Sequence, residues 1–326
     1  MNAQACSREA GTIMRQIFLT LLSERMRYRV LYYLNHKRRL SFSAPTSFTE
    51  KLYCRMQNPL PEFSRLADKF AVRAYVQEKL GNDPLITLYK STRHVTRETF
   101  EDLPNQFVMK STHGAGQVYI VRDKNAEDLD ALAKQANAWL TVPYNRFEKH
   151  YKKITPRILF ERLLSQKNGQ PPADYKVHVF NNGSHNYCFV QVIDGRFGET
   201  TQNLFSETWG KVPFDHDSRL PKSDAPEILE PPKALDDMIQ KAKTLAGPFG
   251  YCRVDFYCFE GAIYFGEMTF TPGAGNLRFI SPYWDTVLGS YFAWPDEPEF
   301  GTPLTSSYRF SRRLKHMTGL LHQRTN

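Results

Sequence analysis

Three charged side chains in the last third of the chain have the types and spacing to hold a divalent cation beside a phosphate. In GYCRVDFYCFEGAIYFGEMTFTPGAGN, residues 250–276, the β-branched and aromatic residues predict two short strands, 252–259 and 262–268. Glu260-Gly261 supplies the tight reversal between them. In that register Asp255 and Glu267 face each other, and such a carboxylate pair suits a hard cation completed by water and phosphate oxygens. Arg253, two residues before Asp255, shares its face. Thr271-Pro272-Gly273-Ala274-Gly275 follows, a turn where backbone can approach a ligand closely. One reading is a nucleotide-phosphate and magnesium site. The other is a plain hairpin with an exposed acid on each strand.

A second cluster lies in QFVMKSTHGAGQVYIV, residues 106–121. Strands over 107–110 and 118–121 flank a small-residue loop. Lys110 ends the first strand, and the loop N–H groups of Gly114, Ala115 and Gly116 could bond phosphate oxygens. His113 in the same loop could touch phosphate or stand solvated. The order G-x-x-x-x-G-K-[ST] is absent, so this is not a P-loop. RILFERLL at 157–164 reads as an apolar strand carrying Glu161. DYKVHVF at 174–180 alternates, which puts Asp174, Lys176 and His178 on one face, as a binding face or a solvent face would have it. Asn182-Gly183 turns that strand into its partner. Asp215-His216-Asp217 is a D-x-D triplet of the kind that holds the metal of a nucleotide-sugar, here in a polar loop.

The elements that must position these residues follow from periodicity and punctuation. Residues 11–40 have helical spacing with interleaved arginines, suited to docking on the main domain or lying on an anionic membrane. Ser47-Phe48-Thr49-Glu50 starts another helix. A helix is expected over 63–80, stopped by Gly81, and others over 126–140 and 232–245. A short strand is expected at 85–89 and a helical turn at 99–103. Lys149–Lys153 reads as a solvated basic face. Residues 206–232, rich in Pro, Asp, Ser and Lys, read as an irregular excursion.

Composition sets the outer limits. With 326 residues, 41% of them apolar, the chain can bury a sizeable core. The net charge of +9 favours anionic partners. Eight basic residues against Glu9 and Glu24 give residues 1–40 a net +6. Five cysteines without a C-x-x-C pair support neither a disulfide framework nor a zinc site. The apolar patch at 17–22 is too short for a signal-peptide core or a membrane span, so a cytoplasmic protein is expected, with the basic termini available to the inner membrane face.

Taken in order, DKFAVRAYVQEKLG, FVMKSTHGAG, DYKVHVFNNG, CRVDFY and GEMTFTPGAG resemble the ATP-grasp superfamily, and most of all its TupA-like branch, associated with teichuronopeptide, capsule and other surface-polysaccharide synthesis. The resemblance covers roughly residues 48–294. It implies an α+β fold in which two subdomains clasp ATP. The implied divisions are a basic helical extension (1–47), a helical and α/β part (48–105), a subdomain with a Gly-rich flap (106–160), a subdomain with the hinge and metal site (161–294) and a basic tail helix (295–326). By position, Lys110 contacts the α- and β-phosphates, with Gly114–Gly116 as the flap. Glu161 sits at the hinge, and backbone through Arg162, Leu163 and Leu164 reads the adenine edge. Asp174 or Lys176 reaches ribose or phosphate. Asp255 and Glu267 hold magnesium, and Arg253 stabilises charge on the transferring group. Many relatives carry Asn where this chain has Thr269, whose hydroxyl can still serve as a third ligand. Lys69, in D-K-x-x-x-R, approaches phosphate, with Arg73 a further candidate.

The implied activity is an ATP- and Mg²⁺-dependent carboxylate–amine ligase joining an amine or amino acid to an acidic sugar acceptor, with no nucleic-acid partner. A glycosyltransferase resting on the D-x-D triplet, an ATP-grasp kinase and a non-enzymatic anion-binding protein are the alternatives. The sequence leaves the oligomeric state open.

Overall fold

The computed structural model describes residues 21–144, 147–166, 169–183, 186–195, 198–215 and 220–294. The expected hairpin is the edge pair of a larger sheet. In chain order come helices α1 (Glu24–His36), α2 (Phe48–Gln57), α3 (Glu62–Ala67) and α4 (Val72–Leu80), then strands β1 (Leu88–Thr92), β2 (Phe107–Ser111) and β3 (Val118–Val121). Helix α5 (Leu129–Thr141) is followed by β4 (Ile158–Glu161), β5 (Asp174–Asn181), β6 (Asn186–Asp194) and β7 (Thr201–Ser206). The short α6 (Pro226–Leu229), α7 (Leu235–Ala246), β8 (Tyr251–Phe259), β9 (Ala262–Thr269) and α8 (Pro282–Ser290) complete the described elements.

Two antiparallel sheets result, with orders β1-β4-β2-β3 and β7-β6-β5-β8-β9. In the smaller sheet, alternation buries Phe107, Met109 and Val121 against Leu132, Ala133 and Ala136 of α5. In the larger, Tyr175, Val177, Val179, Val254 and Phe256 face a core completed by α3, α4 and α7. Period two therefore commits the alternate residues Asp174, Lys176, His178, Arg253 and Asp255 to the opposite face. That face is not a solvent face: Asp174, Lys176, His178 and Asp255 are all buried. Cys188 and Cys252 sit in the apolar core, as small hydrophobes do.

Several boundaries differ from the sequence expectation. The helix expected over 63–80 is broken in two, because Asp68 adopts an extended backbone and its carboxylate accepts from the Phe70 and Ala71 N–H groups. A local Asx bond outcompetes the helical ladder there. The first strand lies at Leu88–Thr92, with Leu85 forming only an isolated bridge to Phe265. The Lys149–Lys153 segment is a 3₁₀ turn whose lysines at 152 and 153 are exposed while Glu148 and His150 are buried, so it is only in part a solvated face. Strand β7 and helix α8 carry no expectation in the sequence reading. The N-terminal helix is seen from Glu24; residues 1–20 and the expected basic tail helix at 295–326 lie outside the described residues.

Helix α2 ties the larger sheet to α8. Ser47 and Glu50 form the reciprocal capping box that the sequence announces. Buried Arg55 donates through Nη1 to the Tyr251 and Phe270 carbonyls, both 2.9 Å away, and lies over the rings of Phe292 and Phe63 at 4.5 and 4.8 Å. Lys51 Nζ donates to the Gly289 and Phe292 carbonyls at the end of α8. Close helix approach demands Gly289: a Cβ there would lie 2.8 Å from Phe48 N and collide with the Thr46 carbonyl. Gly289→Ala is expected to destabilise the fold by about 1–3 kcal/mol, the usual cost of overpacking. Urea unfolding of the variant, read as a fall in midpoint at constant slope, checks this.

Candidate active site

The charged side chains of the two sheets meet across one cleft. Its two lobes share Lys110, Val118, Asp174 and Tyr257 in their linings. One lobe, of about 100 Å³, is walled mainly by apolar side chains, among them Ile86, Val108, Ile120, Leu163, Leu164 and Tyr257, with Glu161 and Arg162 at its edge. The other, of about 490 Å³, is walled by Lys69, Gly114, Ala115, Gly116, Lys176, Asp255 and Glu267. An apolar slot opening into a polar chamber with convergent charges is the form of a small-molecule site.

Strand register builds the polar chamber. Asp255 pairs with Glu267, Arg253 with Thr269 and Lys176 with Asp255 as direct cross-strand neighbours. The β8–β9 turn has positive φ at Glu260 (52°) and Gly261 (79°), which fixes that register. A bulge at Gly266 follows, because Asp255 pairs with Glu267 and Phe256 with Phe265. A side chain at 266 would press on the Asp255 carbonyl and the Tyr257 ring, at 3.1 and 3.3 Å.

The ion pairs are close. Arg253 grips Asp255 with two bonds (Nε–Oδ1 2.7 Å, Nη2–Oδ2 2.8 Å), and its Nη2 also reaches Glu267 Oε1 at 3.2 Å and Thr269 Oγ1 at 3.1 Å. Lys176 Nζ lies 2.5 Å from Asp255 Oδ2 and 3.6 Å from Asp174 Oδ2. Lys69 Nζ lies 3.1 Å from Glu267 Oε2 and donates to the Gly114 carbonyl at 3.0 Å, so it joins the glycine loop to the acidic strand. At the other end Lys110 Nζ is 2.6 Å from Glu161 Oε2, and Arg73 Nη1 is 3.5 Å from Glu161 Oε1. Burial opposes ionisation of Glu267, but Lys69, Arg253 and Lys176 outweigh it and hold its pKa well below the usual carboxylate range. Burial also opposes charge on Arg253, and Asp255 and Glu267 overcome it, raising the guanidinium pKa.

His113 departs from the expected arrangement. It is buried, and its Nε2 bonds the Val142 carbonyl at 3.1 Å, which requires the proton on that nitrogen. It lies behind the glycine loop and does not line the chamber. The buried His178 likewise sits between Tyr251 Oη at 2.9 Å, Gln191 and the stacked ring of Phe189. Asp215 of the D-x-D triplet pairs with Lys222 at 2.6 Å in a separate depression, and Asp217 lies outside the described residues. Of the apolar lining, Leu163 and Leu164 are among the expected residues, whereas Ile86, Val108, Ile120 and Tyr257 are not, although period two from Lys110 points to Val108 and period two from Asp255 points to Tyr257.

Among the described residues no group of three or more His, Cys, Asp or Glu side chains could hold a metal. The donor set nevertheless fits magnesium: Asp255, Glu267 and the Thr269 hydroxyl are hard oxygen donors, and magnesium commonly takes one or two carboxylates, completing its shell with water and phosphate oxygens.

An apolar slot and a charged chamber between two antiparallel sheets define an ATP-grasp protein. The TupA-like ATPgrasp family matches residues 50–293, and this chain belongs to that family. A search of the curated proteins returns no match. Among solved structures, D-alanine–D-alanine ligase from Helicobacter pylori is similar with a TM-score of 0.41 and 14% identity, over 70% of this chain and 61% of that one. The ATP complex of the Bacillus anthracis D-alanine–D-alanine ligase gives 0.35 and 14%, over 68% and 58%. Phosphoribosylamine–glycine ligase from Thermotoga maritima gives 0.37 and 14%, over 67% and 51%. The chain thus spans less than two thirds of each of these solved chains. No helix among the described residues is long and apolar enough to cross a membrane.

The lowered Glu267 pKa has a consequence for stability. A depressed folded-state pKa stabilises the fold above the unfolded value, and that contribution is lost as pH falls through the folded value. The difference in thermal stability between the protein and Glu267→Gln is therefore expected to be constant above pH 4.5, the group's ordinary value, and to shrink below it. Melting temperatures of both proteins, measured over about five pH units from acid to neutral, check the direction.

Proposed function

We propose that this protein is an ATP- and magnesium-dependent carboxylate–amine ligase. It joins an amine or amino acid to a sugar acid in the synthesis of a bacterial surface polysaccharide such as capsule or O-antigen. The observation that carries the reading is the cleft with Lys110 and Glu161 at one lobe and Lys69, Lys176, Asp255 and Glu267 at the other, the two carboxylates held by Arg253. Family membership supports the ATP-dependent part. The carbohydrate part rests on the TupA-like branch and on the excess positive charge.

In the reaction an acceptor carboxylate oxygen takes the γ-phosphoryl group and ADP leaves; the amine nitrogen then bonds to the acyl carbon, inorganic phosphate leaves with the former C–O bond pair, and the amine releases a proton. The apolar lobe, from Val108 and Ile120 to Leu163 and Leu164, accepts the adenine, with backbone beyond Glu161 reading its edge. Asp174 stands where the lobes join and Lys176 beside it in the polar chamber, both placed for ribose or phosphate. Lys110 and Lys69 neutralise phosphate oxygens while the N–H groups of Gly114, Ala115 and Gly116 close over them. Asp255, Glu267 and Thr269 hold magnesium, which when bound draws charge from the phosphate oxygens. Arg253 stabilises the charge developing on the transferred group and on the tetrahedral adduct. A phosphate can take the ammonium donors while a divalent cation takes the carboxylates, so the paired charges of the cleft exchange partners without exposing an unpaired ion. An α-amino nucleophile, with a solution pKa of about 8, needs no dedicated base.

Lys110→Ala and Glu267→Gln are each expected to lower kcat for acceptor-dependent ADP release by about 10²–10³, with the fold intact by circular dichroism. Hydroxylamine added with the acid but without the amine should yield a hydroxamate. A phosphorylated product stable to hydroxylamine would assign a kinase, and nucleotide-sugar turnover without ATP would overturn ligation.

A further inference from the structure

A second cavity, of about 240 Å³, lies between the end of α1 and the segment leading into α8. Asn35, His36, Lys37 and Arg38 form one wall, and Leu277, Arg278, Phe279 and Asp285 contribute to the other. That volume is a little below the roughly 300–1,000 Å³ of drug-sized ligand sites, which suits a single small unit. Three permanent cations line it against one carboxylate, Asp285. That carboxylate is already committed: it pairs with Arg38 and accepts from Thr49 N at 2.9 Å and Thr49 Oγ1 at 2.7 Å. Lys37 and Arg278 are exposed, so their charge is available to a ligand.

The cavity is built, not an accident of surface side chains. Lys37 takes the left-handed conformation (φ 57°) that ends α1, its N–H closing on the Tyr33 carbonyl, and the turn sends Arg38 back to buried Asp285. His36 Nε2 donates to the Gly275 carbonyl at 2.9 Å, and Asn276 accepts from Asn35 and from Tyr53 Oη. Gly275 has φ 73°, and a side chain there would meet the Tyr53 ring at 2.8 Å. One wall is thus clamped to the turn that follows Thr269 by two residues. Burial, with Arg38 and Arg278 adding to it, lowers the His36 pKa, which leaves a neutral ring with its proton on Nε2. Residues 35–38 lie outside the matched family span of 50–293, while Arg278 lies within it.

We propose that this cavity is the recognition site for a carboxylate-bearing saccharide unit of the acceptor. Lys37 and Arg278 bind the carboxylate while Arg38 stays on Asp285 behind them, Asn35 bonds a hydroxyl, and Leu277 and Phe279 face the C–H side of the sugar ring. The proposal rests on the ligase reading above. It places the anionic recognition unit beside the turn at 272–275, from which the acceptor chain reaches Arg253 and Glu267.

Calorimetry with digalacturonic acid at low salt tests it, using the full chain and a variant carrying Lys37→Glu and Arg278→Glu. The protein is expected to bind the disaccharide and the variant to bind about tenfold more weakly or worse, as reversal of two close charges requires. MgATP affinity should be unchanged in the variant, which also reports that it is folded; a Lys37→Gln/Arg278→Gln pair replaces it should the reversal unfold. No binding by the unaltered protein, or equal binding by a folded variant, overturns the proposal. So does binding to phosphatidylglycerol vesicles in place of the disaccharide. Charge-dependent disaccharide binding with no MgATP binding in either protein would instead sink the ligase reading and leave the site standing.

Discussion

The arrangement depends on one electrostatic constraint: charges on a buried sheet face must be neutralised where they stand. β5, β8 and β9 place Asp174, Asp255 and Glu267 on one side of the larger sheet, with Asp174 and Asp255 hidden from water. Carboxylates in such a place survive only when paired, since removal of a partner leaves a desolvated charge. Lys176 and Arg253 come from the same strands at period-two spacing, and Lys69 comes from the break between α3 and α4. The small sheet repeats the pattern, with Lys110 and Arg73 on Glu161. Acids and bases are matched on each side of the cleft, and Lys69, on the Gly114 carbonyl and Glu267 at once, links the two sides.

The interruptions of regular structure then acquire a common purpose. Asp68 breaks a helix and so delivers Lys69 to both the Gly114 carbonyl and Glu267. The Gly266 bulge shifts β9 by one residue between Phe265 and Glu267, keeping both Phe265 and Met268 in the core while Glu267 faces Asp255. Without the extra residue, strict alternation would send either the acid inward or the phenylalanine outward. Both of these irregularities fall where the charged chamber needs them.

How much of this was legible in the sequence follows the reach of each interaction. The hairpin at 251–269, the Ser47–Glu50 capping box and the Lys110 strand are local, and their patterns could be read directly. Family resemblance supplied the order of parts, and the family match bears out that fold. His113 misled because a histidine in a glycine loop is indistinguishable by sequence from one whose ring turns back to a distant carbonyl, here Val142. The break at Asp68 was hidden because Leu66, Phe70 and Ala74 keep helical spacing across it. The apolar lobe was hidden because Val108 and Tyr257 look like ordinary strand residues until two sheets are brought face to face.

The part least visible in sequence is the joining of the N-terminal helices to the far end of the chain. Arg38 reaches Asp285, Lys51 reaches Gly289 and Phe292, and Arg55 reaches Tyr251 and Phe270, all separations of about two hundred residues or more. Each of these cations satisfies a buried carboxylate or a strand- or helix-terminal carbonyl, so none behaves as the solvated basic face that composition suggests. Part of the charge in residues 1–40, at Arg38, is therefore structural, while among the described residues Arg25, Arg29, Lys37 and Arg39 remain exposed, Lys37 at the mouth of the second cavity. The excess positive charge is divided by geometry into a portion that closes the fold and a portion that faces outward, and only the second portion is free to select an anionic acceptor.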